Sequence, residues 1–289
     1  IAPSLVGSEM CIRDRITIGS NSASLGMANL LNNISSEMNK SAEIISSGKR
    51  ILTAADDPAG IAIATDIRTD RDSYSVVKKN ISSGQSLLDV SNTALGSASN
   101  ILNEMKQLAL ESKNDTLSTD QRTAIQNTFA ELQSQYDETI GGAELFGKNL
   151  LTAGAGDVNL QTGIGAGAAN ETTITAADTS STNLGVDAGT INVGTIADAD
   201  TAITAIDTAL TSVGTNQAIM GAQSRGLETR LDTVKNLEEN LTGALSRVED
   251  ADMAAETSKF NLLQTQQQMA LQSLSIVNSF PQSALSLLR

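Results

Sequence analysis

Apolar residues recur in an alternating four-three spacing at both ends of this chain, and that spacing constrains the fold more than any other feature. From Met27 the series runs Met27, Leu31, Ile34, Met38 and Ile45, with Ser41 as its one polar position. Two apolar positions in every seven residues form one seam of an α-helix, whose side chains fit between those of a facing helix. The series stops near Gly48. Beyond it, Asp56-Asp57-Pro58 sets a capping carboxylate before a proline, whose missing N–H and fixed φ suit the first position of a new helix.

That second helix is expected from Ala59 to about Ser112, with Ile63, Ile67, Tyr74, Val77, Ile81, Leu88, Leu95, Leu102, Met105 and Ala109 on one seam. Asp70, Gly84 and Ser91 interrupt it. Such a helix extends on the order of 80 Å, far beyond an ordinary globular element. Ser118 and Gln121 have the spacing of a capping box for a third helix, with Ile125, Phe129, Leu132, Tyr136 and Ile140 on its apolar face. Asn114 to Leu117 then forms a helical hairpin connection, and Gly141-Gly142 ends the third helix.

From Leu151 to about Ile196 the composition shifts to Gly, Ala, Thr, Asn and Asp. The pieces Val158 to Thr162 and Thr172 to Thr175 are β-prone, which predicts small hairpins; the alternative for this stretch is a low-complexity linker. Helical spacing returns with Ile203, Ile206, Leu210, Val213, Met220, Leu227, Leu231, Val234, Leu241, Leu245 and Val248, with Gln217, Ser224 and Glu238 as faults. A last segment carries Phe260, Leu263, Ala270, Leu274 and Val277 before Pro281. The chain is thus mirrored about its middle, so its ends can pair. The fold expected is mainly α: long antiparallel helices forming a coiled-coil or helical rod, with paired N- and C-termini and a small β-hairpin insert.

Composition supports a rod and narrows the function. Aromatic residues are 2% of the chain and tryptophan is absent, so Ala, Leu, Ile, Val and Met must do the packing. There is no histidine, which removes imidazole acid–base catalysis, His-based triads and HExxH metal sites. Cys11 has no second cysteine to pair with. A formal net charge of −14 disfavours nucleic acid and anionic membrane as partners. Gly163-Ile164-Gly165-Ala166-Gly167 lacks the Lys-Ser and helix of a phosphate-binding loop, and Glu249, Asp250 and Asp252 do not have calcium-loop spacing. No enzyme activity, cofactor or metal is expected. No stretch has the length of a transmembrane helix, and the start lacks the order of a secretory signal. Residues 1–15, IAPSLVGSEMCIRDR, read as translated linker or assembly sequence; their recovery on re-amplifying the 5′ end of the gene would show otherwise.

The terminal segments carry more apolar residues than one pair of helices can bury, among them Leu25, Leu30, Ile44, Leu262, Leu271 and Ile276 off the main seam. Further copies of the chain are the simplest cover, which predicts a homo-polymer built by repeated contacts of one kind. The residues assigned to subunit packing are Leu25, Leu30, Leu31, Ile34, Met38, Ile45, Phe260, Leu263, Leu271, Leu274 and Val277. The alternative is a coiled-coil secretion-tip or surface adhesion protein, which needs no mirrored termini.

Two stretches carry a family resemblance. Ser46-Ser47-Gly48-Lys49-Arg50-Ile51 is followed by Ala54-Ala55-Asp56-Asp57-Pro58-Ala59-Gly60-Ile61-Ala62-Ile63-Ala64. Near the other end stand Met220-Gly221-Ala222-Gln223-Ser224-Arg225, Asn240-Leu241 and Ser246-Arg247-Val248-Glu249-Asp250-Ala251-Asp252-Met253-Ala254. In this order they resemble the N- and C-terminal signatures of bacterial flagellin, and Ser283 to Leu288 resembles that family's leucine-ending terminus. The signature positions are Asp56, Asp57, Pro58, Gly60, Arg247, Asp250 and Asp252.

The resemblance implies a short-form filament subunit with no room for large outer domains, exported unfolded to an extracellular flagellum and polymerised at its tip. Its implied partners are further copies, a flagellar export chaperone, and hook-junction and cap proteins. The implied division is a terminal coiled-coil domain of 16–52 and 254–289, a helical rod of 53–150 and 198–253, and an insert of 151–197. Two departures stand out. Leu145-Phe146-Gly147 replaces the family's Phe-Asn-Gly turn, so the Asn that favours a left-handed conformation is missing. In the patch read by the vertebrate innate flagellin receptor, which falls at Leu102 to Glu111, Glu104 stands where stimulating members carry arginine, while Lys106 and Leu108 keep the pattern's type. That reversal implies weak or absent stimulation.

Overall fold

A computed structural model describes residues 22–286, with side chains over residues 22–279. Residues 1–15 and the side chains of the Ser283 to Leu288 ending lie outside the described residues. The elements in order are α1 (Ser22–Ser47), α2 (Pro58–Ser112), α3 (Thr119–Gly141), β1 (Glu144–Leu145), β2 (Lys148–Asn149), β3 (Val158–Gln161), β4 (Glu171–Ile174), α4 (Ser181–Leu184), α5 (Ile196–Glu249) and α6 (Met253–Ser286). They form two compact units, with dividing points inside α2 and α5. One holds the described residues up to Thr65 and those from Leu245; the other is Asp66–Ala244.

In the second unit the heptads meet as expected. Ile81, Leu88, Leu95, Leu102 and Ala109 recur every seven residues on α2, and Ile206, Val213, Met220, Leu227 and Val234 do so on α5; all are buried in one core with Phe129, Tyr136 and Ile140 of α3. Lys78–Glu238, Lys106–Asp207 and Lys113–Asp200 ion pairs, at 2.7, 2.5 and 2.5 Å, ascend one helix while descending the other, so α2 and α5 run antiparallel. Ser118 and Gln121 form the capping box on α3, and the Thr195 hydroxyl accepts from the Asp198 N–H at the start of α5.

The 151–197 stretch is an anchored structure and not a linker. β3 and β4 pair antiparallel from Val158↔Ile174 to Gln161↔Glu171. Polar side chains of the helices hold the chain that follows: Tyr136 donates to the Thr179 carbonyl at 2.8 Å, and the buried Gln133 amide donates to Val186 and Ile191 carbonyls. Gly84, a fault when α2 is read as a plain seam, is where the hairpin approaches the helix. A β-carbon there would lie 2.1 Å from Leu160 Cδ1.

Several expectations need correction. Ile63 is exposed, and Ala64 is the buried residue beside it. Ile44, placed off the seam above, is buried. The last helix, α6, runs through Pro281 to Ser286. The hairpin after α3 is intact despite the missing asparagine. β1 and β2 pair through Leu145↔Lys148, and Phe146 and Gly147 both take positive φ, 55° and 73°.

Candidate subunit interface

The first unit is built on α1 and α6. Ile34, Leu263 and Ala270 form its buried seam, with Leu31 and Met38 packed against it. The small Ser41 is fully buried, and its hydroxyl donates to the Glu256 carbonyl at 3.5 Å across the pair. A small residue at such a point lets two backbones approach closely, where a leucine would hold them apart.

The two signature stretches, some 200 residues apart, meet beside this pair. Gly48, at φ 71°, ends α1 as a left-handed cap with its N–H on the Ile44 carbonyl. The next residues then lie against the α5–α6 connection. The Arg50 N–H donates to the Glu249 carbonyl at 2.6 Å, the Ala251 N–H to the Gly48 carbonyl at 2.9 Å, and Lys49 pairs with Asp250 as an isolated antiparallel bridge. The Arg50 guanidinium donates to the Val248 carbonyl at 2.7 Å, satisfying an acceptor at the end of α5. The buried Glu249 carboxylate lies 3.3 Å from the Lys49 ammonium.

Each signature carboxylate has a structural task. Asp57 Oδ1 accepts from the Gly60 N–H at 2.9 Å and so caps α2 ahead of Pro58; Asp252 Oδ1 accepts from the Ala254 and Ala255 N–H groups and caps α6. Gly60 is small for cause, since a β-carbon there would meet Asp57 Oδ2 at 2.4 Å and Ile51 Cδ1 at 2.7 Å. The Asp250 carboxylate accepts from the Ser246 hydroxyl. Arg247 is exposed.

Asp56 ties the turn together. Its carboxylate takes the Lys40 ammonium at 2.5 Å, the Leu52 and Thr53 N–H groups and the Thr53 hydroxyl. The Lys40 hydrogen bond, followed by the Thr53 N–H, holds this carboxyl well below the usual range, and the Asp56 carboxylate in turn raises Lys40. A folded-state value below the unfolded one gives stability that is present above about pH 4 and lost as pH falls toward the folded value. The thermal midpoint of the wild type should therefore fall more steeply between about pH 5 and pH 2 than that of Asp56→Asn. Parallel curves would refute this.

Of the residues assigned to subunit packing, Leu25, Leu30 and Leu271 are exposed. Leu31, Met38, Ile45, Phe260, Leu274 and Val277 are half-buried. Ile34 and Leu263 are buried within the α1–α6 pair, so their side chains are already spent inside the chain. Sequence reasoning missed Met269. With Leu262 and Ile276 it makes an outward stripe at seven-residue spacing on α6, 56, 54 and 66% exposed, off the face that meets α1. The spacing from Leu262 to Ile276 was the available signal. In the other unit, Leu102 is fully buried, Glu104 is exposed, Lys106 pairs with Asp207, and Leu108 is half-buried.

Paired terminal helices that keep a second apolar stripe on the outside make this a helical structural protein with apolar surface left uncovered. Among the described residues no cluster of metal-binding side chains occurs and no helix is long and apolar enough to cross a membrane. The comparisons with known proteins specify the class. The bacterial flagellin N-terminal helical region matches residues 18–155 and the bacterial flagellin C-terminal helical region matches residues 203–288, so the chain belongs to the bacterial flagellin family. Flagellin FljO of Caulobacter vibrioides is 33% identical over 273 residues, 94% of this chain and 98% of that protein. A flagellin of Halalkalibacterium halodurans is 31% identical over 250 residues, 86% of this chain and 91% of that one. The crystal structure of Bacillus cereus flagellin is 29% identical, with a TM-score of 0.48 over 54% of this chain and 88% of that chain. This protein is a short-form structural subunit of the bacterial flagellar filament and not an enzyme.

Proposed function

We propose that copies of this chain polymerise through the outer faces of α1 and α6, with 16–52 and 254–289 as the assembling domain, 53–150 and 198–253 as a rod, and 151–197 as its insert. The stripe of Leu262, Met269 and Ile276 carries this reading. Apolar side chains repeated along a helix and left in water favour cover, at about 25 cal/mol per Å² removed from it, and the family membership makes a further copy the natural cover. Leu25, Leu30 and Leu271 extend the apolar surface.

The subunit reaches the filament by export in an unfolded state and ends outside the cell. A flagellar export chaperone and the hook-junction and cap proteins are its further partners, as the family resemblance implies. The direct test is electron microscopy of purified protein, beginning at Ile16, after seeded salting-out. Filaments are the expected result; soluble monomers under every condition would overturn the reading.

A further inference from the structure

Phe146 occupies the tip of the β1–β2 hairpin at φ 55° and 74% exposure. Two-residue hairpin turns with positive φ at both central positions are ordinarily built from Asn, Asp and Gly, because a β-carbon crowds the backbone there. Phe146 is the one described non-glycine residue with positive φ. A strained backbone and an exposed ring thus coincide in a chain with only four phenylalanines and two tyrosines, of which Phe129 and Tyr136 are fully buried. Either feature alone is unremarkable on a protein surface; a residue disfavoured for both reasons calls for a use.

The same unit carries an open recess of about 420 Å³, lined by Asp89, Val90, Thr93 and Ala94 of α2, by Thr139 of α3 and by Ala143 just beyond it. Val90 and Ala94 continue the apolar core to the surface, and Asp89 is exposed. Lys148, also exposed, follows Phe146 by two residues. The ring has the Lys148 cation two residues away and the apolar recess has the Asp89 carboxylate in its lining, so each side offers an apolar surface with one charge of opposite sign.

We infer that in the filament Phe146 of one subunit seats in this recess on a neighbouring subunit, bringing Lys148 of its hairpin to Asp89. The occupant is a second copy because every subunit carries both the knob and the recess, and a contact between different patches repeats along a filament without closing. This rests on the polymerisation proposed above but involves a different surface.

Phe146→Asn supplies the residue such a turn favours, so its monomer should melt no lower than the wild type, while the critical concentration for seeded polymerisation rises at least about tenfold. Thr93→Trp, filling the recess from its exposed wall, should raise it similarly. In filaments grown from an equal mixture of Phe146→Cys and Thr93→Cys subunits, both also Cys11→Ser, a short bis-maleimide should join neighbours. The same mixture with Ile164→Cys in place of Thr93→Cys should not be joined. A wild-type critical concentration for Phe146→Asn, or no cross-link from Phe146→Cys to Thr93→Cys, would overturn the contact. Failure of the wild type itself to form filaments would count instead against polymerisation through α1 and α6.

Discussion

Glutamine at Leu262, Met269 and Ile276 together will leave the monomer folded and abolish filaments at concentrations where the wild type polymerises fully. The three side chains lie off the seam that α6 shares with α1 and are more than half exposed, so the monomer loses little when they become polar. Glutamine is close to leucine and methionine in helix propensity, so α6 itself should persist. In the assembled state each replaced residue forfeits the burial of its exposed part, about 1–2 kcal/mol. Three of them sum to about 3–6 kcal/mol per subunit, a rise in critical concentration of roughly a hundredfold or more. Circular dichroism and thermal melting report the monomer, and sedimentation with electron microscopy reports the filament. Filaments at the wild-type critical concentration would remove the stripe from the assembly surface, and a lost helical signal would show that these residues serve the fold.

The long-range plan of this protein was legible because its signals are local and repeated. Asp57 before Pro58 and Ser118 with Gln121 mark helix starts through hydrogen bonds reaching only three residues, and both are found as expected. The seven-residue repeats on α2 and α5 were equally plain. What periodicity could not settle was a choice between adjacent residues. Ile44 and Ile45 both continue the α1 seam acceptably, and the helix buries Ile44. A single seam through Ile63 and Val77 assumes one partner throughout, but Ile63 belongs to the first unit and Val77 to the second. Gly84 was opaque because the Leu160 side chain that requires its smallness is remote in sequence. The junction was legible as two signatures but not as one place. The backbone bonds joining Gly48 and Arg50 to Ala251 and Glu249 use atoms that every residue has. Met269 was overlooked for a different reason: a stripe outside the core competes for notice with the stronger seam one residue away.

Leu102→Ala and Glu104→Arg, two positions apart on α2, should have opposite consequences. Leu102 is fully buried in the core that α2 shares with α3 and α5. Truncating it removes buried methyl groups and leaves a cavity, which costs about 2–5 kcal/mol and should lower the thermal midpoint by roughly 5–20 °C. A receptor cannot touch that side chain unless the helices part. Lys106 is also engaged, since its ammonium is held 2.5 Å from Asp207. Of Leu102, Glu104, Lys106 and Leu108, Glu104 is therefore the one left exposed, with the half-buried Leu108 beside it. Glu104 is exposed, so arginine there should leave the midpoint within roughly 2 °C while replacing an anion with a cation on the surface. In a reporter-cell assay with purified monomer, the wild type should stimulate weakly or not at all and Glu104→Arg more strongly. Leu102→Ala should lose stability without gaining stimulation. Full stimulation by the wild type would show that the charge at Glu104 does not govern recognition. An unchanged midpoint for Leu102→Ala would show that this seam holds the rod less firmly than its burial requires.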